Sequence, residues 1–200
     1  MAPRFNAWGI TVEVQPGWEG RAHRRVTPGD EFGRDSNNGN SNGNGGPSSS
    51  AGGEAKSSPA PGDPWAAGEP RAAGEKGWKG EISHPVVHLA NYALPPDPQD
   101  FGSSALMGIG EGNGFLALID YGPELAHTAL FAAVGIPTLS ASDFSPNALQ
   151  RVVPGQLGVQ KFFTEAGRPF CLYAVAGGRA RLEQVVREMN SALAGIEVSR

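Results

Sequence analysis

The sequence predicts an α+β fold in which an antiparallel sheet carries a C-terminal amphipathic helix on one face. Three observations lead to this prediction: an alternating apolar strand near the N-terminus, two adjacent strands at 159–175, and an apolar stripe at helical spacing over 182–193. Strands do not alternate with long helices along this chain, so an antiparallel sheet with a helix packed on it fits better than a doubly wound parallel sheet.

The first strand lies in "ITVEVQPGW", where Ile10, Val12 and Val14 alternate with polar residues. Such alternation is typical of a strand with one buried face. Pro16-Gly17 predicts a turn, and the following "WEGRAHRRV" is compatible with a return strand. A lone hairpin is marginal in water, and so short a piece cannot hold a core. We therefore expect it to pair with strands further along the chain.

The next segment is of low complexity. From Gly33 to Gly62 there is no Val, Ile, Leu, Met or aromatic residue. Ordering such a segment would cost about 1–2 kcal/mol per residue in backbone entropy, with almost no apolar burial to offset it. We therefore predict a long disordered insertion at 28–79, after the N-terminal strand or hairpin. It interrupts one α+β domain made of 1–27 and 80–200.

Beyond the insertion, "PVVHLANYAL" predicts a strand that ends at the prolines of "LPPDPQD". "FLALIDYG" is apolar on both faces and predicts a central strand. Between them, Ser103 is expected to cap a short helix that ends before Gly110. Further on, Ser145 is expected to cap a helical turn with Pro146 at its first position.

The C-terminal third gives the clearest pattern. Strands at Val159–Thr164 and Phe170–Val175 are joined by "EAGRP", which predicts a hairpin. The helix that follows is expected to cover these two strands, and "IEV" after Gly195 is expected to add a short strand or a tail. Its apolar stripe consists of Leu182, Val185, Val186, Met189 and Leu193.

Two quoted patterns carry a resemblance. "F-x-x-x-G-R-x-F-x-L-Y-x-V-x-G" followed by a helix, together with the N-terminal "ITVEVQPGW", resembles the α+β sandwich of the Mog1/PsbP-like group. The folded part is also similar to uncharacterised proteins of high-GC Gram-positive bacteria. The resemblance covers the ends of the chain better than residues 95–158. It implies the fold and transfers no catalytic residue to any position.

Composition excludes several classes. The net charge is -4 and no basic stripe is present, which argues against nucleic-acid binding. No run approaches the roughly 18 apolar residues of a membrane span, and the start has no pattern of a secretory signal. The single cysteine, Cys171, cannot form an internal disulfide, so we expect a cytoplasmic protein. The oligomeric state is not predicted.

Motifs for catalysis, cofactors or metals are weak. "GIGEGNG" lacks the spacing of a dinucleotide fingerprint and leads into a strand, so it predicts a turn. His84 and His88 stand four apart on a strand, roughly 13 Å from each other, too far for one metal ion. His23 and His127 are expected to have no acidic or cysteine residue near them. We predict no cofactor, metal or catalytic residue, with Cys171 as a buried apolar thiol.

Acidic residues follow the same pattern. Asp97, Asp100, Glu111 and Asp120 are expected to be solvated loop acids and one acid at a strand end. Only convergence in three dimensions would make a carboxylate pair of them.

Two tryptophans stand out, because Trp is rare in disordered segments. Trp65 and Trp78 are candidates for partner contact, either as a motif that orders on binding or as residues that fold back on the domain.

The sequence favours a non-enzymatic module that binds an unidentified protein or helps an assembly. The alternatives are an enzyme whose acids or histidines converge only in three dimensions, and a carrier of a small ligand. A flat sheet would favour the first hypothesis. A concave pocket with several polar side chains would favour the other two.

Overall fold

The computed structural model describes residues 3–24, 84–149 and 151–200, which belong to one compact unit. These residues form eight strands and two α-helices, together with several 3₁₀ turns. The strands are β1 (Arg4–Ala7), β2 (Ile10–Glu13), β3 (Glu19–Arg24), β4 (Pro85–Ala90), β5 (Gly114–Asp120), β6 (Leu157–Glu165), β7 (Arg168–Ala176) and β8 (Ile196–Val198). The helices are α1 (Ser103–Leu106) and α2 (Leu182–Ala194).

The strands form two antiparallel sheets. The larger sheet has the order β3-β4-β5-β7-β6, and the smaller has the order β1-β2-β8. β5 is central and buried along its whole length, as its two apolar faces predict. The N-terminal strands pair with later ones, since β2 lies beside β8 and β3 lies beside β4.

The two faces of the larger sheet are covered differently. One face, here called the helix face, packs against α2 and the smaller sheet, and its core includes Leu89, Leu118 and Leu172. The other face, here called the loop face, carries Phe115 and Tyr173, and packs against side chains of the segments between strands. The predicted class is confirmed: an α+β fold with an antiparallel sheet and a C-terminal helix on one face.

The N-terminal hairpin differs in detail from the prediction. The predicted return strand exists as β3, but it does not return beside β2. The chain passes from the smaller to the larger sheet at the Pro16-Gly17 turn, where Gly17 has φ 79°. The hairpin is β1–β2, joined by Trp8-Gly9. The short, polar β1 has no alternating apolar signal, because its side chains are half-buried or exposed.

Helix α2 has its predicted apolar stripe buried and packs on β5 and β7. Of the two N-caps predicted from the sequence, Ser145 and Ser103, the structure has one. Ser145 accepts a hydrogen bond from the Asn147 amide, as expected for a cap, although the turn that follows is 3₁₀. Ser103 is not the cap of α1. The N-cap of α1 is Gly102, whose φ of 76° is unfavourable for a residue with a side chain.

The predicted insertion at 28–79 lies outside the described residues, and so do the boundaries at 27 and 80 predicted for the domain on either side of it. No helix in the described ranges has the length and apolar composition needed to cross a membrane.

Candidate functional site

The candidate site lies on the loop face, under the segment between β4 and β5. Pro95, Pro96 and Pro98 prevent this segment from continuing the β4 ladder, so the chain leaves the sheet and crosses it. Leu94 fixes its start, since its amide donates to Glu19 Oε2 (2.9 Å) and its carbonyl accepts from Arg21 Nη2 (3.2 Å). The segment is thus tied to β3.

A histidine holds the middle of this segment. His88 is fully buried in β4 and stacks between His23 (5.1 Å between ring centroids) and Phe115 (5.3 Å). Its Nε2 lies 3.0 Å from the carbonyl oxygen of Asp100, which can only accept, so Nε2 carries the proton. Nδ1 is then an acceptor, and no described residue donates to it.

Burial sets the protonation of His88. Desolvation lowers its pKa to about 4, against smaller raising effects from the Asp100 carbonyl and nearby carboxylates. His88 is therefore neutral at pH 7 and acts as a hydrogen-bond donor to the crossing segment.

His23 was expected to have no acidic residue near it, and this expectation is wrong. Its Nε2 lies 3.4 Å from Asp100 Oδ1. The β3–β4 pairing places the His23 ring beside the His88 ring. The crossing segment then brings Asp100 close to the Nε2 atoms of both rings. Separation along the chain hid this contact. Asp100 was expected to be a solvated loop acid, but its side chain contacts His23 and its carbonyl contacts His88, so it fixes the crossing segment to β3 and β4.

A pocket of about 580 Å³ opens beside this cluster, between α1 and the segment 151–156. Its apolar lining consists of Phe101, Leu106, Met107, Val152, Val153 and Pro154. Its polar lining consists of Gln99, Ser103, Ser104, Arg151, Gln156 and Tyr173. Phe101 stands edge-on to Tyr173, with ring centroids 5.8 Å apart, and so ties the pocket to the sheet.

Gln156 is the unusual member of the pocket wall. It is only 6% exposed, and its Nε2 donates to the Leu106 carbonyl at 2.9 Å. Because that carbonyl only accepts, the amide orientation is fixed, and Oε1 is left as the acceptor. No described residue donates to this buried Oε1. A buried polar atom without a partner is rare and calls for an explanation.

The rim of the pocket is apolar and open. Met107 is 89% exposed, and Val152 is exposed beside it. Arg151 supplies the only formal charge among the described lining residues. The same described lining holds no carboxylate, imidazole or thiol, so the hydroxyls of Ser103, Ser104 and Tyr173 are the side-chain groups there that acid–base or nucleophilic chemistry would have to use.

The other candidates raised by the sequence lie apart from this pocket. The 108–113 stretch leads through a turn into β5, and Cys171 is buried in β7. Asp120 ends β5 as expected, yet it is buried and paired with Arg168, whose Nε lies 3.1 Å from Oδ2. Groups of three or more metal-ligating side chains are not found in the described ranges. Trp65 and Trp78 lie outside those ranges.

Sequence reasoning missed Gln156 and the His23–His88–Asp100 contact. The signal for Gln156 was its register, since Gln156, Gly158 and Gln160 alternate with the apolar Leu157 and Val159. That pattern places two amides on one face at the start of β6. No local signal marks the histidine contact, which depends on how the crossing segment returns.

A comparison of the chain with known family models, with curated proteins and with solved structures found no match. The resemblance to the Mog1/PsbP-like sandwich therefore stays a prediction.

Proposed function

We propose that this protein binds a small, largely apolar molecule that carries at least one N–H or O–H donor, and that it does so without catalysing a reaction. The observation that carries the proposal is the pocket at Gln156, where apolar side chains surround a buried amide oxygen with no partner among the described residues. Its volume of about 580 Å³ lies in the range of small-molecule sites.

The lining supports binding over catalysis. Ligand sites present mostly apolar surface, with polar groups that fix orientation. Half of the residues lining this pocket are polar, but most of the surface that they expose to it is apolar. Arg151 at the rim disfavours a cationic ligand. A bound ligand would also cover Met107, whose apolar surface is otherwise in water.

The test uses N-phenyl-1-naphthylamine, an uncharged probe with one N–H donor whose fluorescence rises in apolar surroundings. We expect saturable binding to the full chain at about one probe per chain. Val153→Trp fills the pocket and should abolish the signal, while Gln156→Leu should weaken binding by about tenfold through loss of one hydrogen-bond acceptor. Val134→Gln, an exposed apolar residue that does not line this pocket, is the matched control.

Equal titrations of the parent and Val153→Trp would contradict the proposal. The second candidate, a module that binds an unidentified protein, would then gain support. Exposed Met107 and Val152 favour it, because adjacent apolar side chains at a surface are typical of contact sites. If the protein binds a protein partner at this surface, substitutions of Met107 and Val152 should weaken that association, whereas Val153→Trp, which fills the pocket, should not.

A further inference from the structure

A second pocket, of about 630 Å³, lies where the β1–β2 turn and the β6–β7 turn meet the end of β5. Arg24, Arg168 and Arg200 contribute three positive charges to its lining, and Asp120 contributes one negative charge. The whole chain carries a net charge of -4, so this pocket is basic on an acidic protein. Such local charge raises the concentration of anions at a site.

Arg168 braces the pocket rather than facing a ligand. Its Nε lies 3.1 Å from Asp120 Oδ2, and its Nη1 donates to the carbonyls of Trp8 (3.1 Å) and Ser199 (3.4 Å). Asp120 neutralises its charge, and the two carbonyls bind the β1–β2 turn and the end of β8 to the larger sheet. Recognition of an anion therefore falls to the other basic groups.

Trp8 occupies a position that the turn itself does not favour. Trp8 and Gly9 are the two central residues of the β1–β2 turn, with φ of 51° and 78°. Two positive φ values are the requirement of a type I′ turn, which favours Asn or Asp at the first position. A bulky side chain in this conformation is strained.

The strain is held by surrounding hydrogen bonds. The Gly9 carbonyl accepts from the Ser199 amide (2.8 Å) and hydroxyl (3.0 Å), in addition to the Arg168 contact with Trp8. Trp8 is nevertheless 42% exposed. Strained residues that their surroundings over-determine concentrate at functional sites, so an exposed Trp fixed in this way marks one.

Arg24 completes the arrangement. Its guanidinium carbon lies 5.4 Å from the centroid of the Trp8 ring. Stacking occupies the flat face of a guanidinium and leaves its in-plane N–H donors available to a carboxylate or phosphate. Within the described residues, no ion pair engages Arg24. His84 nearby is half-buried, with Nε2 4.0 Å from Glu124 Oε2.

We propose that this basic pocket binds a small organic anion: its carboxylate or phosphate group pairs with Arg24, and its ring packs against Trp8. The site is separate from the pocket at Gln156, and the two proposals stand or fall independently.

The experiment is calorimetric titration of the full chain with phenyl phosphate, benzoate and inorganic phosphate. We expect one of the two ring-bearing anions to bind saturably, and which of them binds identifies the anionic group. Arg24→Gln should weaken this binding by about tenfold or more, since a charge-assisted hydrogen bond is lost. Arg187→Gln, which removes an exposed arginine of α2, should leave it unchanged.

Trp8→Asn separates function from folding. Asn suits the turn position, so the melting temperature should be unchanged or raised, while the ring-bearing anion binds more weakly. The proposal is overturned if neither ring-bearing anion binds, or if Arg187→Gln weakens binding as much as Arg24→Gln. It is also overturned if inorganic phosphate binds as tightly as phenyl phosphate, or if Trp8→Asn binds like the parent.

Discussion

The helix face and the loop face of the larger sheet belong to the same strands, yet they are built differently. The helix face is aliphatic and is covered by α2 and the smaller sheet. The loop face is covered by α1 and irregular segments, and it holds a buried histidine, a buried amide and a pocket. Regular elements exclude water with a continuous apolar stripe. Irregular segments leave concave space and carry polar groups, which is where ligand recognition becomes feasible.

The largest effect is expected on the helix face. Val186 is buried in the middle of the α2 stripe. Val186→Asp would bury an unpaired carboxylate in the core of the helix face, so we expect a loss of about 4 kcal/mol or more in the free energy of unfolding. Urea unfolding followed by circular dichroism measures it.

The control lies on the other side of the same helix. Glu183 is exposed, so Glu183→Ala should stay within about 0.5 kcal/mol of the parent. Matching urea midpoints for the two variants would mean that α2 does not depend on its packing, and the contrast between the faces would lose its basis.

The helix face could be predicted in detail because its signals are local. The stripe from Leu182 to Leu193 has the period of a helix, and the alternation at Ile10 and Val12 has the period of a strand. Both periods report burial on one side directly. The strands under α2 were predicted only in part. The sequence predicted that α2 covers β6 and β7, whereas α2 packs on β5 and β7, a choice that depends on the three-dimensional arrangement.

The second effect concerns the loop face and is pH-dependent. The folded state lowers the pKa of His88 from 6.5 to about 4. Between these values the unfolded chain binds a proton that the native state does not, so the free energy of unfolding falls as the pH falls from about 6.5 to about 4. The loss reaches about 3 kcal/mol at most. Urea unfolding at several pH values measures it.

His88→Gln keeps an amide donor for the Asp100 carbonyl and removes the titrating group. Its stability should therefore depend less on pH than that of the parent in this interval. His127→Gln, which changes an exposed histidine, should keep the parent's slope. A His88→Gln variant with the full slope would show that other groups, and not this buried ring, cause the pH dependence.

The third effect concerns the glycine at the start of α1. Gly102 has φ 76°, and a Cβ there would overlap the Phe115 ring on the loop face. Gly102→Ala should cost about 2 kcal/mol through strain and displacement of that ring. Gly108→Ala, in the same segment but with open space around it, should be nearly neutral. Equal thermal melts would show that the segment adapts freely and does not depend on its fit to Phe115.

The loop face escaped prediction because its contacts join residues with no shared period. His23 and Asp100 stand 77 positions apart, and Gln156 and Leu106 stand 50 apart. The prolines at 95–98 predicted where β4 ends, but nothing in them predicted the direction in which the chain then crosses the sheet. Long-range contacts of irregular segments are set by the whole core rather than by neighbours in sequence.

The smallest effect on stability is expected at Met107, where the largest contrast between stability and binding should appear. The side chain is 89% exposed, so Met107→Gln should change the free energy of unfolding by no more than about 0.5 kcal/mol. The same change places a polar amide at the rim of the Gln156 pocket and should weaken binding of N-phenyl-1-naphthylamine. Val134→Gln makes the same substitution type at a residue 87% exposed and away from this pocket, and should alter neither quantity. Parallel urea and fluorescence titrations compare the two variants. If both bind the probe like the parent, the exposed rim has no part in recognition, and the apolar surface at Met107 must serve a contact outside the pocket.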